Sequence, residues 1–187
     1  MRRGEALEVL AALKGDGISV GTMRAIADWY ELGAAPDLNL DNRGCMGAAS
    51  GLGLGIALAQ PQRRVIVIDG DGSLMMQLGS LTSIAGSGAA NFYHFVVVNG
   101  VYETSGFQPI PAAGLADFAA MARGAGYQQA YEFSDIAILR ERLPGIFNQP
   151  GPAMIALKVE LDEVRKEVPA DRPKDQAGYL RSQLVGS

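Results

Sequence analysis

Two side chains with the chemistry of magnesium ligands lie at the ends of two predicted strands. Asp71 follows the apolar run of residues 65–68, and Asn99 follows the apolar run of residues 95–98. Because a helix-length segment separates the runs, a strand–helix–strand crossover is expected to bring their carboxyl ends to the same sheet edge. A carboxylate and an amide oxygen are hard ligands that suit Mg²⁺ or Ca²⁺, and Mg²⁺ completes its octahedron with phosphate oxygens and water. The pattern therefore predicts a site for a magnesium-bound diphosphate.

The residues around Asp71 have the properties of a phosphate site. Gly70 and Gly72 let the backbone turn tightly and approach a ligand closely. A helix predicted to begin near Ser73 presents free N–H groups and the positive end of its dipole, both of which favour phosphate. A Gly-Asp-Gly sequence by itself is more often an ordinary turn. Its place between a central strand and a helix, with an asparagine ending the next strand, favours the functional interpretation.

The elements that must position these residues alternate between strands and helices along the chain. Apolar runs predict strands at residues 18–20, 38–40, 65–68, 92–98, 128–133 and 153–159. Helices are predicted at residues 5–13, 22–30, 47–59, 74–85, 115–123 and 134–147, and Thr22 is the expected cap of the second. This alternation predicts an α/β fold with a single parallel sheet flanked by helices on both faces. Ligands of such sheets bind beyond the carboxyl ends of the strands, here residues 21–22, 44–47, 69–73 and 99–108.

Size and composition favour a single cytoplasmic domain. The 187 residues are 48% hydrophobic and carry a formal net charge of −4 without a basic run, so neither nucleic acid nor a membrane is an expected partner. The longest apolar stretch, residues 52–59, is too short to span a bilayer. The single cysteine, Cys45, excludes a disulfide or a cysteine-ligated cluster within these residues. We expect a domain over residues 1–160 and a C-terminal arm over residues 161–187, which is either a solvated surface or a contact with a second subunit.

The sequence Gly-Asp-Gly-Ser at residues 70–73, followed by Asn99, resembles the cofactor motif of thiamine-diphosphate enzymes related to acetolactate synthase and pyruvate decarboxylase. The resemblance implies that Asp71 and Asn99 bind Mg²⁺ together with the backbone carbonyl of Val101. It also includes Tyr102 among the cofactor-binding residues. The chain differs from the family in having one more residue between the two ligands and a valine where a second asparagine is usual.

Residues 44–47, Gly-Cys-Met-Gly, are similar to a second segment of the same family. The resemblance implies that the side chain of Met46 lies beneath the cofactor and forces its two rings into a bent shape, and that Gly44 supplies a backbone carbonyl. The bend brings the exocyclic amine of the cofactor beside the reactive thiazolium carbon. Gly21 and Thr22 match a family loop that lies near the diphosphate. Without the resemblance, Met46 would be interpreted as an ordinary core residue.

Residues 102–108 are similar to the corresponding stretch of sulfopyruvate and phosphonopyruvate decarboxylases, with a phenylalanine in place of one glycine. The similarity implies that Ser105 and Gln108 touch the diphosphate or the substrate, and the alternative is that both are ordinary loop residues. A sulfonate or phosphonate tail requires cations. Arg24 and Arg43 are the candidates, although Arg43 also fits a plain surface arginine.

Two other titratable residues lie near the predicted site. Glu103 is a candidate for moving a proton beside the metal, although a structural role is the simpler interpretation. His94 is the only histidine and falls inside a predicted strand, which favours a buried structural histidine over an acid–base role. Neither residue is counted among the predicted site residues.

The resemblance also implies a second polypeptide. In this family the glutamate that activates the cofactor belongs to a separate pyrimidine-binding domain across a subunit boundary, and 187 residues leave no room for both domains. We therefore expect a hetero-oligomer in which a partner subunit carries that domain. The cofactors implied are thiamine diphosphate and Mg²⁺, and the reaction implied is decarboxylation of a small 2-oxo acid.

Three alternatives remain open at this point. The first is carboligation, as in acetolactate synthesis. The second is the cofactor subunit of a 2-oxo acid oxidoreductase, although those subunits usually carry several cysteines and this chain has one. The third is a non-catalytic partner that binds the cofactor only to stabilise an assembly.

Overall fold

The chain folds around one parallel sheet. The computed structural model describes residues 1–34, 37–161 and 174–185. Its strands are β1 (Ile18–Thr22), β2 (Asn39–Asn42), β3 (Val65–Gly70), β4 (Phe92–Val98), β5 (Val101–Tyr102), β6 (Gln108–Pro109), β7 (Gln129–Phe133) and β8 (Ala153–Lys158). Six of these form one sheet in the order β2-β1-β3-β4-β8-β7, and all neighbouring strands are parallel. The short strands β5 and β6 form a separate antiparallel hairpin. The predicted single parallel sheet is confirmed.

Helices connect the strands of the sheet. They are α1 (Arg3–Lys14), α2 (Arg24–Glu31), α3 (Ala49–Ala59), α4 (Asp71–Met76), α5 (Ser80–Ser87), α6 (Phe118–Ala125), α7 (Ile136–Phe147) and α8 (Gln176–Val185). A 3₁₀ turn at Glu103–Ser105 lies between β5 and β6. None of the helices in the described part of the chain combines the length and the hydrophobicity that a membrane span requires.

Alternate side chains of the central strands enter two separate hydrophobic layers. Ile66 and Ile68 of β3 pack in the layer that contains α1, α2 and α7, whereas Val65 and Val67 pack in the layer that contains α3, α5 and α6. All four side chains are fully buried. Successive residues of a strand point to opposite faces, so a strand that is apolar throughout is stable only where both faces are covered. The sheet is covered on both faces, as predicted.

The predicted helix over residues 74–85 is wrong in its extent. The chain forms two helices there, α4 and α5, with a break at residues 77–79. Gln77 leaves the helical conformation with φ −140° and ψ 44°, and Gly79, a poor helix former, precedes α5. The apolar side chains continue through the break, so the sequence pattern did not reveal it. The start of the helix also differs from the prediction near Ser73, because Asp71 itself is the first residue of α4.

The predicted cap of the second helix is also wrong. Thr22 is the last residue of β1, and its hydroxyl donates to the carbonyl of Asn42 at 3.2 Å instead of capping α2. α2 follows Met23, whose φ of 49° turns the chain sharply between strand and helix. α6 begins at Phe118 rather than at residue 115, because the carboxylate of Asp117 caps it.

The end of the C-terminal segment packs on the edge of the sheet. Gln176 of α8 accepts the N–H of Asp41 at 2.6 Å and donates to its carboxylate at 2.7 Å. Tyr179 donates to Asp37 at 2.9 Å, and Leu180 is buried. Residues 162–173 and 186–187 of the predicted arm lie outside the described residues. Contact of the arm with a second subunit therefore stays a prediction.

The close packing of α3 on β3 generates a stability prediction. A Cβ atom at Gly53 would overlap Val67 and lie 3.2 Å from the ring of Phe92, whereas a Cβ at Gly55 would meet no atom within 4 Å. We predict that Gly53→Ala lowers the free energy of unfolding by about 1–3 kcal/mol through overpacking. Gly55→Ala should raise it by about 0.5–1 kcal/mol, because alanine favours helix. Denaturant unfolding followed by circular dichroism measures both, and equal stabilities would contradict the packing argument.

Candidate active site

The tips of β3 and β4 lie side by side. The two strands pair in parallel, with Gly70 opposite Val97. Asp71 directly follows β3 and Asn99 directly follows β4. The two residues line the same cleft at the carboxyl edge of the sheet.

The carboxylate of Asp71 joins the two strand tips through backbone hydrogen bonds. Its Oδ2 accepts the N–H groups of Asn99 at 3.0 Å and Gly100 at 2.7 Å, and its Oδ1 accepts the N–H of Gly72 at 2.7 Å. Gly100 has a φ of 79°, a conformation that glycine adopts without strain. This turn directs two consecutive N–H groups at one carboxylate oxygen. Asp71 thereby holds the loop after β4 against the start of α4.

The position of Asp71 makes its charge costly. The residue is almost fully buried, and burial raises the pKa of its carboxyl group above the ordinary value. The hydrogen bonds from Gly100, Gly72 and Asn99 oppose that rise in pKa, and the negative charge of Glu103 adds to it. A nearby cation would favour the ionised form.

The side-chain amide of Asn99 is held at both ends. Its Nδ2 donates to Oε1 of Glu103 at 2.9 Å, and its Oδ1 accepts the N–H of Val101 at 3.0 Å. The hydrogen bond to Val101 closes a tight turn between β4 and β5. The orientation of the amide is therefore defined by two neighbours within four residues of the chain.

A buried ionic network surrounds Glu103. Arg3 donates from Nη1 to Oε1 and Oε2 of Glu103 at 2.8 and 3.0 Å, and from Nε to Asp28 at 2.5 Å. Arg24 forms an ion pair with Oε2 of Glu103 through its Nε at 3.0 Å. Burial lowers the pKa of Arg3, but the charges of Asp28 and Glu103 outweigh it, so the pKa is raised overall. The network connects α1 and α2 to the loop that carries Asn99.

The glycines and the serine of the motif pack against the neighbouring loops. A Cβ at Gly72 would overlap the ring of Tyr102, so glycine is what allows that ring to lie on the start of α4. The hydroxyl of Ser73 accepts the N–H of Gly47 at 2.9 Å, and Gly47 has a φ of 85°. These contacts attach the segment that carries Met46 to the start of α4.

The structure brings most of the sequence-predicted residues to one cleft. Those that line it are Thr22, Arg24, Met46, Gly70, Asp71, Gly72, Ser73, Asn99, Val101 and Tyr102. Four further lining residues, Arg3, Met23, Ala25 and Val97, lie outside the segments that the sequence predicted to bind ligands. Asp69, Glu103 and Thr104 also line the cleft and lie inside those segments, but only Glu103 was considered individually, as a proton carrier. Arg3 gave no signal, because it lies 100 residues from Glu103 in the chain. Asp28, its other ion-pair partner, did carry a weak signal, since it shares the buried face of α2 with Ala25 and Trp29.

Five predicted residues do not line the cleft. Gly21 is buried within β1, where a Cβ would lie 3.3 Å from Ile26. The other four, Arg43, Gly44, Ser105 and Gln108, are exposed. Their contacts with cofactor or substrate stay predictions.

His94 lies beneath the cleft in the middle of β4 and is fully buried. Its Nε2 is 3.4 Å from Oδ2 of Asp69, and its Nδ1 is 3.5 Å from the hydroxyl of Tyr127. The other oxygen of Asp69 accepts the N–H of Gly70 at 2.9 Å. His94 therefore has polar partners on both ring nitrogens, in agreement with its interpretation as a structural residue.

Comparison with known families identifies the domain. Residues 19–157 match the C-terminal TPP binding domain of thiamine pyrophosphate enzymes. The chain belongs to this family. Thiamine pyrophosphate is another name for thiamine diphosphate, so the resemblance seen in the sequence is confirmed.

Relatives of this TPP-binding domain include two kinds of decarboxylase. Phosphonopyruvate decarboxylase of Streptomyces hygroscopicus is 37% identical over 116 residues, which are 62% of this chain and 28% of that protein. Sulfopyruvate decarboxylase subunit beta of Methanothermobacter thermautotrophicus is 43% identical over 84 residues, 45% of this chain and 44% of that subunit. The chain thus spans less than half the length of either relative.

A solved structure shows the same fold. The thiamine diphosphate-dependent 4-hydroxybenzoylformate decarboxylase of Rhodococcus jostii superposes with a TM-score of 0.68 at 20% identity, covering 86% of this chain and 33% of that one. The sheet described above is therefore the fold of the TPP-binding domain.

The donor atoms of the cleft fit a divalent cation that brings its own oxygen ligands. A carboxylate has about four acceptor positions, and the three N–H bonds to Asp71 leave one on Oδ1. Oδ1 of Asn99 accepts one N–H and keeps a second lone pair. Among the described residues, no group of three or more His, Cys, Asp and Glu side chains is placed to hold a metal. A cation here would therefore need phosphate oxygens and water, which is the usual mode of Mg²⁺.

The hydrogen bond between Ser73 and Gly47 generates a prediction for the TPP-binding domain. Both groups are buried, so Ser73→Ala leaves the N–H of Gly47 without its acceptor. We expect the free energy of unfolding to fall by about 1–3 kcal/mol, as measured by denaturant unfolding. Ser105→Ala, at an exposed position, is the matched control and should be within about 0.5 kcal/mol of the wild type. A Ser73→Ala protein as stable as the control would show that this contact does not attach the Met46 segment.

Proposed function

We propose that this chain is the diphosphate- and magnesium-binding subunit of a thiamine-diphosphate-dependent 2-oxo acid decarboxylase that acts with a second chain. The observation that carries the proposal is that Asp71 and Asn99 follow two paired strands and line one cleft. That arrangement sits in a chain of the TPP-binding family whose relatives are named decarboxylases. Bound thiamine diphosphate supplies the nucleophilic carbon and the electron sink that decarboxylation needs.

Different residues of the cleft would bind the metal, the diphosphate and the rings of the cofactor. Asp71, Asn99 and the carbonyl of Val101 would hold Mg²⁺, and the cation would hold the diphosphate. The backbone at Gly72 and the hydroxyl of Ser73 line the cleft and would lie beside that diphosphate. Met46 lines the same cleft from the opposite loop, where an apolar side chain would support the cofactor rings.

The substrate is proposed to be a 2-oxo acid with an anionic tail. This proposal rests on the relatives, which are a phosphonopyruvate decarboxylase and a subunit of a sulfopyruvate decarboxylase. Of the two arginines considered for the tail, Arg24 lines the cleft, whereas Arg43 is exposed and outside it. The Nε of Arg24 is engaged by Glu103. Arg24 is therefore the better supported candidate.

An exposed apolar groove next to the cleft supports a partner subunit. Met46 lines both the cleft and this groove, which also contains Gly51, Leu52 and Ile84. Leu52 is 39% exposed, whereas Ile84 is buried beneath the groove. Met76 is outside the groove lining but packs near Gly47, which lines it, and is 54% exposed. Contiguous exposed apolar residues mark interaction sites. We infer that the subunit carrying the pyrimidine-binding domain, with its activating glutamate, covers this groove and completes the cofactor site.

The metal assignment predicts the effect of Asp71→Asn. The substitution keeps the shape of the side chain but removes its charge and replaces one acceptor by a donor. We expect thiamine diphosphate to bind more than about 100-fold more weakly, beyond the loss seen for outer-shell partners of a metal. Removal of Mg²⁺ with EDTA should have the same effect on the wild type. Calorimetric titration of the full chain with its co-purified partner measures both.

Asp117→Asn is the matched control for this experiment. Asp117 caps α6 away from the cleft, and asparagine is an equally good N-cap. Its cofactor affinity should equal that of the wild type. Unchanged affinity in Asp71→Asn would contradict the proposed metal site.

If the enzyme consists of two chains, decarboxylation should require contact between them. The full chain alone should decarboxylate neither sulfopyruvate nor phosphonopyruvate, and the complex should decarboxylate at least one. Leu52→Asp places a charge in the apolar groove, which is unfavourable in a buried interface. It should reduce both co-purification and decarboxylation. Ile138→Asp, at a 52% exposed position of α7 on the other face of the sheet, should reduce neither.

Carbon dioxide release and pull-down assays measure these outcomes, with circular dichroism to show that each variant is folded. Turnover by the isolated chain would contradict the requirement for a partner. Equal losses of co-purification and decarboxylation in the Leu52 and Ile138 variants would show that the groove is not the interface.

A further inference from the structure

We propose that Glu103 is a positioning residue that sets which end of the Asn99 amide faces the metal. The proposal rests on the proposed function, because it requires Asn99 to be a magnesium ligand. The role of Glu103 would be to ensure that Asn99 presents its amide oxygen, and not its amide nitrogen, to the cation.

The two ends of an asparagine amide differ in a way that decides metal binding. The oxygen is an acceptor and can ligate a cation, whereas the NH₂ group is a donor and repels one. Rotation by 180° about the last side-chain bond exchanges them with little change in shape. A metal site built on asparagine therefore needs a neighbour that distinguishes the two ends.

Glu103 is such a neighbour, alongside the N–H of Val101, because within the described part of the chain the other groups that contact its oxygens are guanidinium groups. Oε1 accepts from Nη1 of Arg3 and Nδ2 of Asn99. Oε2 accepts from Nη1 of Arg3 and forms an ion pair with Nε of Arg24 at 3.0 Å. Guanidinium groups can only donate. Both oxygens of Glu103 must therefore act as acceptors, and only the NH₂ end of Asn99 can face Oε1. The opposite end, Oδ1, then lies on the side of Val101, whose N–H it accepts.

The network makes this orientation rigid. The side chain of Glu103 is 3% exposed, and those of Arg3 and Asp28 are equally buried. Arg3 belongs to α1 and Arg24 to α2, so two helices of the scaffold hold the carboxylate in place. Buried charges of this kind are stable only with good pairing geometry. Glu103 is thus fixed by the fold before a cofactor binds.

The same contacts argue against Glu103 as a proton carrier. Three hydrogen bonds and the ion pair with Arg24 engage its two oxygens, which leaves little of the acceptor capacity of a carboxylate. An experiment must separate an orienting role of Glu103 from a purely structural one. The neighbouring Asp28 allows that distinction, because it belongs to the same network through Arg3 and does not line the cleft.

The test compares Glu103→Gln with Asp28→Asn, which makes the same change of acid to amide in the same network. The full chain with its co-purified partner is titrated with MgCl₂ at saturating thiamine diphosphate, and binding is followed by calorimetry. We expect Glu103→Gln to raise the half-saturating Mg²⁺ concentration by about 10- to 100-fold, the range for outer-shell partners. Asp28→Asn should leave that concentration unchanged, even where it lowers the melting temperature. Equal shifts in the two variants would overturn the proposal.

A swap variant, Glu103→Gln with Asn99→Asp, gives a second test. The introduced carboxylate has two equivalent oxygens, so it needs no orienting neighbour, and one of them can accept the NH₂ of the introduced glutamine. The swap should recover a half-saturating Mg²⁺ concentration near that of the wild type, while Glu103→Gln alone does not. Failure of the swap to recover, whether in folding or in Mg²⁺ requirement, would overturn the proposal.

The failure of the proposed function gives a different result. If Asp71→Asn leaves Mg²⁺-dependent binding unchanged, the metal site itself is misplaced. If Asp71→Asn abolishes binding while Glu103→Gln has no effect, the metal site stands and only the orienting role is wrong.

Discussion

The buried carboxylate of Asp71 accepts three backbone N–H groups, and those hydrogen bonds connect the tips of the two central strands. The turn at Gly100, the path of the chain into β5 and the position of Asn99 all follow from that contact. A carboxylate in this position loses hydration, and its raised pKa reflects that loss. The N–H bonds offset part of the loss, and a bound cation would offset more. If the proposed metal site is correct, the interaction that shapes the loop also prepares it for the metal.

The ionic network behind the cleft extends the same constraint to the helices. A buried ion pair contributes little to stability compared with apolar residues of the same size, whereas breaking one by removing a single partner is strongly destabilising. The chain nevertheless retains Arg3, Asp28, Arg24 and Glu103 in one place. These four residues are better explained by a role in positioning than by a gain in stability, because they join α1 and α2 to the loop that carries Asn99.

Apolar patterning was enough to predict the centre of the molecule. The runs that became β3 and β4 are apolar on both faces, so their burial in a parallel sheet was predictable, and with it the meeting of Asp71 and Asn99 at one edge. The motif glycines were predicted to allow a tight turn and the close approach of a ligand. That the ring of Tyr102 packs on Gly72 is a contact that only the structure shows. Membership of the TPP-binding family, inferred from these residues, is confirmed by the match over residues 19–157.

The parts that could not be predicted depend on contacts distant in sequence or on backbone breaks. Nothing in the local sequence of Arg3 indicates a partner at Glu103. The break between α4 and α5 falls inside a continuous apolar segment, so periodicity did not show it. The hydroxyl of Thr22 donates to a carbonyl of the neighbouring strand β2 instead of capping a helix. This contact depends on the pairing of β1 with β2, which the local sequence does not reveal.

A diffraction experiment tests the central claim most directly. The complex would be crystallised with Mn²⁺ in place of Mg²⁺ and with thiamine diphosphate, and the metal located by its anomalous scattering. The account predicts one peak about 2.0–2.2 Å from an oxygen of Asp71, Oδ1 of Asn99 and the carbonyl oxygen of Val101, with diphosphate oxygens and water completing the coordination. A peak elsewhere, or an ordered diphosphate with no metal between these two side chains, would contradict it.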